Sequence, residues 1–129
     1  VATDFEHRSY GEELALCQRY YQQFDYTTTY QHIGLGQAGG SFLCYIDFPF
    51  LNEMRTSPTI SHNGVGNFRL NTFSSGIDEV CTNIGYESVS KYSARIRFDK
   101  ATGNFTTNQN TSVNTQSTNN ASFYIDAEL

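Results

Sequence analysis

Ser88-Val-Ser-Lys-Tyr-Ser-Ala-Arg-Ile-Arg-Phe98 (SVSKYSARIRF) sets Tyr92, Ala94, Ile96 and Phe98 on one side of an extended chain, with Lys91, Arg95 and Arg97 on the other. Successive side chains of a strand point to opposite faces, so a period of two describes a strand with one buried and one wet face. Neighbouring segments read the same way. Ser41–Phe48 (SFLCYIDF) is a continuous apolar run that alternates in its second half and stops at Pro49, which cannot donate to a ladder. Asn67–Phe73 alternates with Phe68, Leu70 and Thr72 on one face, and Thr59–His62 forms a short strand between Pro58 and the turn-forming Asn63-Gly64. Val80–Ile84 and Ala121–Ile125 are further strands, the last with Phe123 and Ile125 inward. Short strands at regular spacing with turn signals between them predict a mainly β chain, an antiparallel β-sandwich of jelly-roll-like type.

Two segments are less direct. Leu35–Gly40 (LGQAGG) reads as a turn or flexible connection, because no strand-to-helix context supports a nucleotide loop there. Residues 101–120 are almost devoid of charge and of large apolar side chains, and read equally as loop or as solvent-facing strands.

One short α-helix precedes the strands, at Ser9–Tyr21 (SYGEELALCQRYY). Ser9 and Glu12 fit a capping box, Glu12 and Glu13 suit the positive end of the helix dipole, and Arg19 suits the negative end. Tyr10, Leu14, Cys17 and Tyr21 follow the spacing of a coiled-coil seam, with Leu16 and Tyr20 as a second apolar strip. A helix of about three turns is marginal alone in water. It is expected to pack on its own sheet, on copies of itself, or on both.

The 129 residues fit one domain. Eight basic and thirteen acidic residues leave a net charge of −5 with no basic run, which argues against nucleic acid. No apolar run approaches the ~20 residues that span a bilayer, so no membrane insertion is expected and the chain reads as soluble and unprocessed. Cys17, Cys44 and Cys81 are widely spaced and contain no CxxC pair, the pattern of reduced, buried thiols rather than of a disulfide framework or zinc site. His7, His32 and His62 lack metal-ligand spacing, and neither metal nor cofactor is expected. Asp78 and Glu79 would face opposite ways on a strand and read as a polar turn, which leaves no carboxylate pair for an enzyme. Aromatic rings with Asn, Gln, Asp and Thr suit sugar recognition. Tyr26, Tyr30, His32 and Tyr86 lie near expected loops and are the candidate ligand-binding residues, with core or subunit packing as the alternative for each.

Several stretches together resemble a known group. VATDFEHRSYGEELALCQRYY (residues 1–21), Tyr45-Ile-Asp-Phe-Pro49, Met54-Arg55, Ser57-Pro-Thr59 and the closing Asn119-Asn-Ala-Ser-Phe-Tyr-Ile-Asp-Ala-Glu-Leu129 are similar to the C-terminal region of phage tail-fibre and related virion structural proteins. The chain departs from that pattern at Phe50-Leu-Asn-Glu53 and in the Asn/Thr-rich segment. The resemblance implies residues 1–21 as connector and helix from an upstream virion module and residues 22–129 as a C-terminal β-sandwich domain. It further implies a homotrimer in the virion, assembled in the bacterial host cytoplasm, with Tyr10, Leu14, Cys17 and Tyr21 lining the threefold axis or the cleft between helix and sheet. Attachment to the host surface through a glycan is the function implied. The alternative is a purely structural trimerisation or folding cap, or a capsid-borne fibre with no ligand of its own. No catalytic residue is carried over, and a polysaccharide-degrading tailspike is disfavoured by length and by the missing carboxylate pair.

Overall fold

A computed structural model describes residues 9–72, 76–116 and 120–128. The chain runs α1 (Tyr10–Gln18), β1 (Tyr21–Tyr26), β2 (His32–Ala38), β3 (Leu43–Pro49), β4 (Thr59–His62), a 3-10 turn (Val65–Asn67), β5 (Phe68–Thr72), β6 (Asp78–Glu87), β7 (Ser93–Lys100), β8 (Asn110–Thr115) and β9 (Ala121–Asp126). The mainly β character, the antiparallel pairing and the single short N-terminal helix agree with the sequence reading. His7 and Phe73, and the first residues of the expected connector, lie outside the described residues.

The layers differ from a simple jelly-roll-like sandwich. Strands β2-β3-β7-β6-β5-β8 close into a six-stranded barrel, while β1-β9-β4 form a separate three-stranded sheet. Closure removes the two free edges that an open six-stranded sheet would expose. It depends on β2, the segment read as a turn. Gly34, Gly36 and Ala38 of β2 face inward beside Ile46 and Cys44 of β3 and Thr111 of β8. A Cβ at Gly36 would lie 1.7 Å from the Tyr45 carbonyl oxygen, so only glycine lets the two backbones approach this closely. The glycines of LGQAGG therefore mark close strand packing, and the turn begins only after Ala38.

The second departure is β8. Residues 101–109 are loop, one of the two readings, but Thr111, Ser112, Val113 and Thr115 are buried, so residues 110–115 are a strand that is not solvent-facing; it joins β2 to β5 in the barrel wall. Ser112 Oγ has a partner in Asn71 Oδ1 and Thr115 has two, whereas the buried Thr111 Oγ1 meets no hydrogen-bond partner among the described residues. Thr115 Oγ1 accepts from Gln31 N and donates to Thr28 O, both at 2.7 Å, and Thr111 lies beside the Cys44 thiol. Inward threonine supplies β-branched bulk in a narrow barrel, where a paired hydroxyl costs little.

One core joins barrel and sheet. The ring of Phe123 in β9 sits 5.0 Å from Phe68, 5.2 Å from Phe48 and 6.3 Å from Phe98. Ile46, Leu70, Ile96, Val113 and Ile125 complete it. Alternation in β7 holds from Ala94 to Phe98, but the strand begins at Ser93, and Tyr92 lies in the preceding turn, exposed. Asp78 and Glu79 open β6 rather than forming a turn. As a strand requires, they face apart: Asp78 pairs with Arg69 at 2.7 Å and Glu79 with Lys100 at 2.8 Å.

The helix is capped as its sequence predicts, with Ser9 Oγ accepting from Glu12 N at 3.2 Å. It ends at Gln18, however, and Tyr21 belongs to β1. No helical residue is buried. The expected cleft between helix and sheet is not where Tyr10, Leu14 and Cys17 lie; all three are exposed. The reason is the way the helix is held. Gln22, buried at the start of β1, donates through Nε2 to Gln18 O at 3.0 Å and Asn52 O at 2.9 Å, and accepts from Leu51 N at 2.8 Å. Arg55 N donates to Arg19 O, and its guanidinium lies over Tyr20 at 5.3 Å while Nε donates to Ala127 O. Polar tethers at one end fix the helix without using its apolar side chains.

Candidate functional site

Outward positions of the barrel make a groove that the sequence pattern alone does not announce. Tyr45 and Asp47 are the wet-face residues of β3, between the buried Cys44, Ile46 and Phe48. Register sets Gln37 of β2 opposite Tyr45, and Arg95 of β7 opposite Asp47. With Ala38, Gly39 and Asn108 these residues line an open depression of about 330 Å³. Its volume falls at the lower end of the ~300–1,000 Å³ common for small-ligand sites.

The groove has a structured floor. The Arg95 guanidinium lies 4.8 Å from the Tyr45 ring centroid, and its Nη2 reaches Glu87 Oε2 at 3.0 Å. Gly39 leaves room for the ring, since a Cβ there would come within 2.3 Å of Tyr45 Cε2. Asn108 adopts φ 70° and donates its backbone N–H to Ala38 O at 2.8 Å, while Ala38 N donates to Gln109 O at 2.9 Å. This exchange fixes the 106–109 turn as one wall of the groove, and Asn tolerates the left-handed conformation it needs. The adjoining Arg97 is engaged by Asp99 at 2.9 Å. Burial works to raise the Asp99 pKa, but hydrogen bonds from Arg97 and Asn83 outweigh it and hold the carboxyl below its ordinary value.

The sequence candidates lie elsewhere. Tyr26 ends β1 opposite Ala121, half-buried, and burial raises its pKa. Tyr30 is exposed in the turn between β1 and β2 with φ 53°, and His32 opens β2, also exposed. Tyr86 in β6 is half-buried opposite Ile96, its ring 6.4 Å from His62. Burial pushes the Tyr86 pKa up, and its hydroxyl meets no partner among the described residues. None of the four lines the groove. Sequence reasoning missed Tyr45, Asp47 and Arg95 because alternation tells which face a residue takes, whereas only strand register tells which wet-face residues become neighbours. The available signal was an aromatic and opposite charges on the outward positions of two strongly alternating segments.

A second depression, of about 400 Å³, lies between α1 and the loop after β3, lined by Ala15, Leu16, Arg19, Asn52 and Glu53. On the helix and its neighbouring segments Tyr10, Leu14, Leu16, Tyr20, Tyr21 and Leu51 are all exposed, Tyr10 at 82% and Leu51 at 61%.

The thiols divide by burial. Burial pushes Cys44 up to about 11 and Cys81 up to about 12, which keeps both protonated and unreactive at neutral pH, whereas Cys17 is exposed on the helix. Among the described residues no group of three or more His, Cys, Asp or Glu is placed to hold a metal ion, and no helix is long and apolar enough to cross a membrane. Comparison of the chain with protein families, with curated proteins and with solved structures finds no match in any of the three.

Proposed function

We propose that this chain is the terminal domain of a trimeric phage tail-fibre or tail-associated virion protein that contributes to host-surface attachment through a glycan. The observation that carries the reading is the helix. Within the protomer α1 is held by polar tethers at its C-terminal end, and it leaves Tyr10, Leu14, Leu16 and Cys17 exposed. Three copies related by a closed threefold axis cover such a face with one repeated contact. Tyr10, Leu14 and Cys17 line that axis in this reading, and Tyr21, at the start of β1, joins the contact from below. The cysteines, unpaired, suit assembly in a bacterial cytoplasm.

The test is oligomeric mass by light scattering, followed by a host-cell binding assay. Leu14 is exposed in the single chain, so Leu14→Asp should leave the protomer folded while reducing the assembled mass threefold. A monomeric wild-type chain, or a Leu14→Asp variant of unchanged mass, sinks the trimer. A trimer that binds no host cell leaves the structural cap as the function.

A further inference from the structure

We propose that the groove formed by Tyr45, Asp47, Arg95, Gln37 and Asn108 binds one neutral sugar ring of the host-surface glycan, an assignment that rests on the attachment reading above. Three observations carry it together.

The first is size and shape. A depression of about 330 Å³, open on one side, accommodates a single ring with its chain continuing into solvent, and does not enclose an oligosaccharide. The second is the mixture of groups. Tyr45 supplies an aromatic wall against which the C–H groups of a sugar can rest, its ring held in place by Gly39 on one side and with the Arg95 guanidinium over it. Around it stand an acceptor-only carboxylate (Asp47), a donor-only guanidinium (Arg95), and two amides that both donate and accept (Gln37 and Asn108). A row of vicinal hydroxyls, each donor and acceptor, matches that alternation better than a phosphate or an aliphatic ligand does.

The third observation is charge, and it selects among sugars. Among the described residues Arg95 is the one cation of the lining, and it is already engaged: Glu87 Oε2 lies 3.0 Å from Nη2, and Asp47 is its cross-strand neighbour. Glu87 already takes up the guanidinium and Asp47 adds a negative charge to the lining, so the groove offers an anionic sugar no uncompensated cation. An anionic sugar would have to displace Glu87 and would meet Asp47 unscreened. A neutral hexose or N-acetylhexosamine faces no such repulsion. One ring per groove binds weakly alone, and three grooves on one trimer raise avidity by about 10²–10⁴ without a new contact.

The experiment uses the full chain with methyl glycosides of glucose, galactose, mannose and N-acetylglucosamine, and with glucuronate, read by ligand-observed saturation-transfer NMR, alongside the host-cell binding assay. At least one neutral glycoside should give saturation transfer, glucuronate none, and Asp47→Ala or Tyr45→Ala should weaken binding at least tenfold. Asp47 and Arg95 are exposed, so Asp47→Ala and Arg95→Gln keep the test alive if Tyr45→Ala does not fold. Glucuronate binding more strongly than every neutral glycoside overturns the neutral class. Host-cell binding unchanged in Asp47→Ala and Arg95→Gln overturns the groove while attachment stands. A wild-type chain that binds neither glycosides nor host cells overturns attachment itself, and the groove assignment with it.

Discussion

Lys100 to methionine isolates the charge that closes one side of the barrel. The Lys100 side chain is 0% exposed, and its ammonium donates to Glu79 Oε2 at 2.8 Å, to Thr102 O and to Asn104 Oδ1, with the Phe105 ring centroid 4.3 Å away. Three donors thus meet three acceptors, and together they fasten the end of β7 to β6 and to the loop after it. Methionine keeps the apolar stem and deletes the head. Hydrogen bonds to a charged group are each worth about 1.5–3 kcal/mol, but Glu79, Thr102 and Asn104 recover water once the lysine is gone, because the Glu79 side chain is 27% exposed and the loop lies at the surface. The net loss for Lys100→Met should be about 2–3 kcal/mol, or a Tm lower by roughly 6–15 °C at this chain length. Acid dependence gives a second, independent readout. The hydrogen bond from Lys100 is the main cause holding the Glu79 carboxyl below its ordinary value. A carboxylate whose folded pKa is depressed contributes stability that is complete above its unfolded pKa and is lost as pH falls through the folded one. Chemical denaturation followed by circular dichroism at pH 7 and again near pH 3 should therefore show a gap between wild type and Lys100→Met that narrows in acid. Equal stability at pH 7, or a gap of the same size at both pH values, refutes the ammonium as the anchor.

Two further substitutions test the other polar and steric keystones. Gln22→Leu should cost about 2–4 kcal/mol in the same denaturation assay, because it strips the hydrogen bonds to Gln18 O, Asn52 O and Leu51 N at a buried position, and helical ellipticity should fall with it; stability within 0.5 kcal/mol of wild type, a margin typical of surface substitutions, would show the hub to be dispensable. Gly36→Ala places a Cβ 1.7 Å from a backbone oxygen that no rotamer can move, so it should part β2 from β3 and leave little cooperatively folded protein in a thermal melt, whereas Gly66→Ala, where a Cβ meets nothing within 4 Å, should be nearly neutral; a sharp wild-type-like transition for Gly36→Ala would refute the account of barrel closure.

What was legible in the sequence follows a physical line. Wherever an alternating strand carries large apolar residues inward, as in Phe68-Leu70, Ala94-Ile96-Phe98 and Phe123-Ile125, the period fixes both the element and its buried face. The N-cap at Ser9 was legible for the same local reason, since a cap depends only on residues within one turn. Illegibility begins where burial is achieved by small or hydroxylated residues. Gly34, Gly36 and Ala38 of β2 and Thr111 and Thr115 of β8 are inward positions of a narrow barrel, and a hydrophobic count assigns them to turns or solvent. The groove was illegible for another reason: Tyr45, Asp47 and Arg95 are ordinary wet-face residues until register makes them neighbours.

The helix carries the consequence furthest. Its spacing predicted a seam packed on the sheet, on copies of the chain or on both; Tyr10, Leu14 and Cys17 lie on the helix while Tyr21 opens β1, and none of them is buried against the sheet. Gln22, Arg55 and Asn52 hold the helix by its C-terminal carbonyls and by the Gln18 side chain, so its direction is fixed by polar groups that cost no apolar surface. An amphipathic helix docked through its greasy face would have consumed that face within the protomer. One docked through its end keeps it available, and Leu51 in the loop after β3 is exposed as well. The buried Gln22 costs desolvation that a leucine would not, and that cost is rational if the helix must stand in one orientation while its apolar side chains remain free for copies of the same chain.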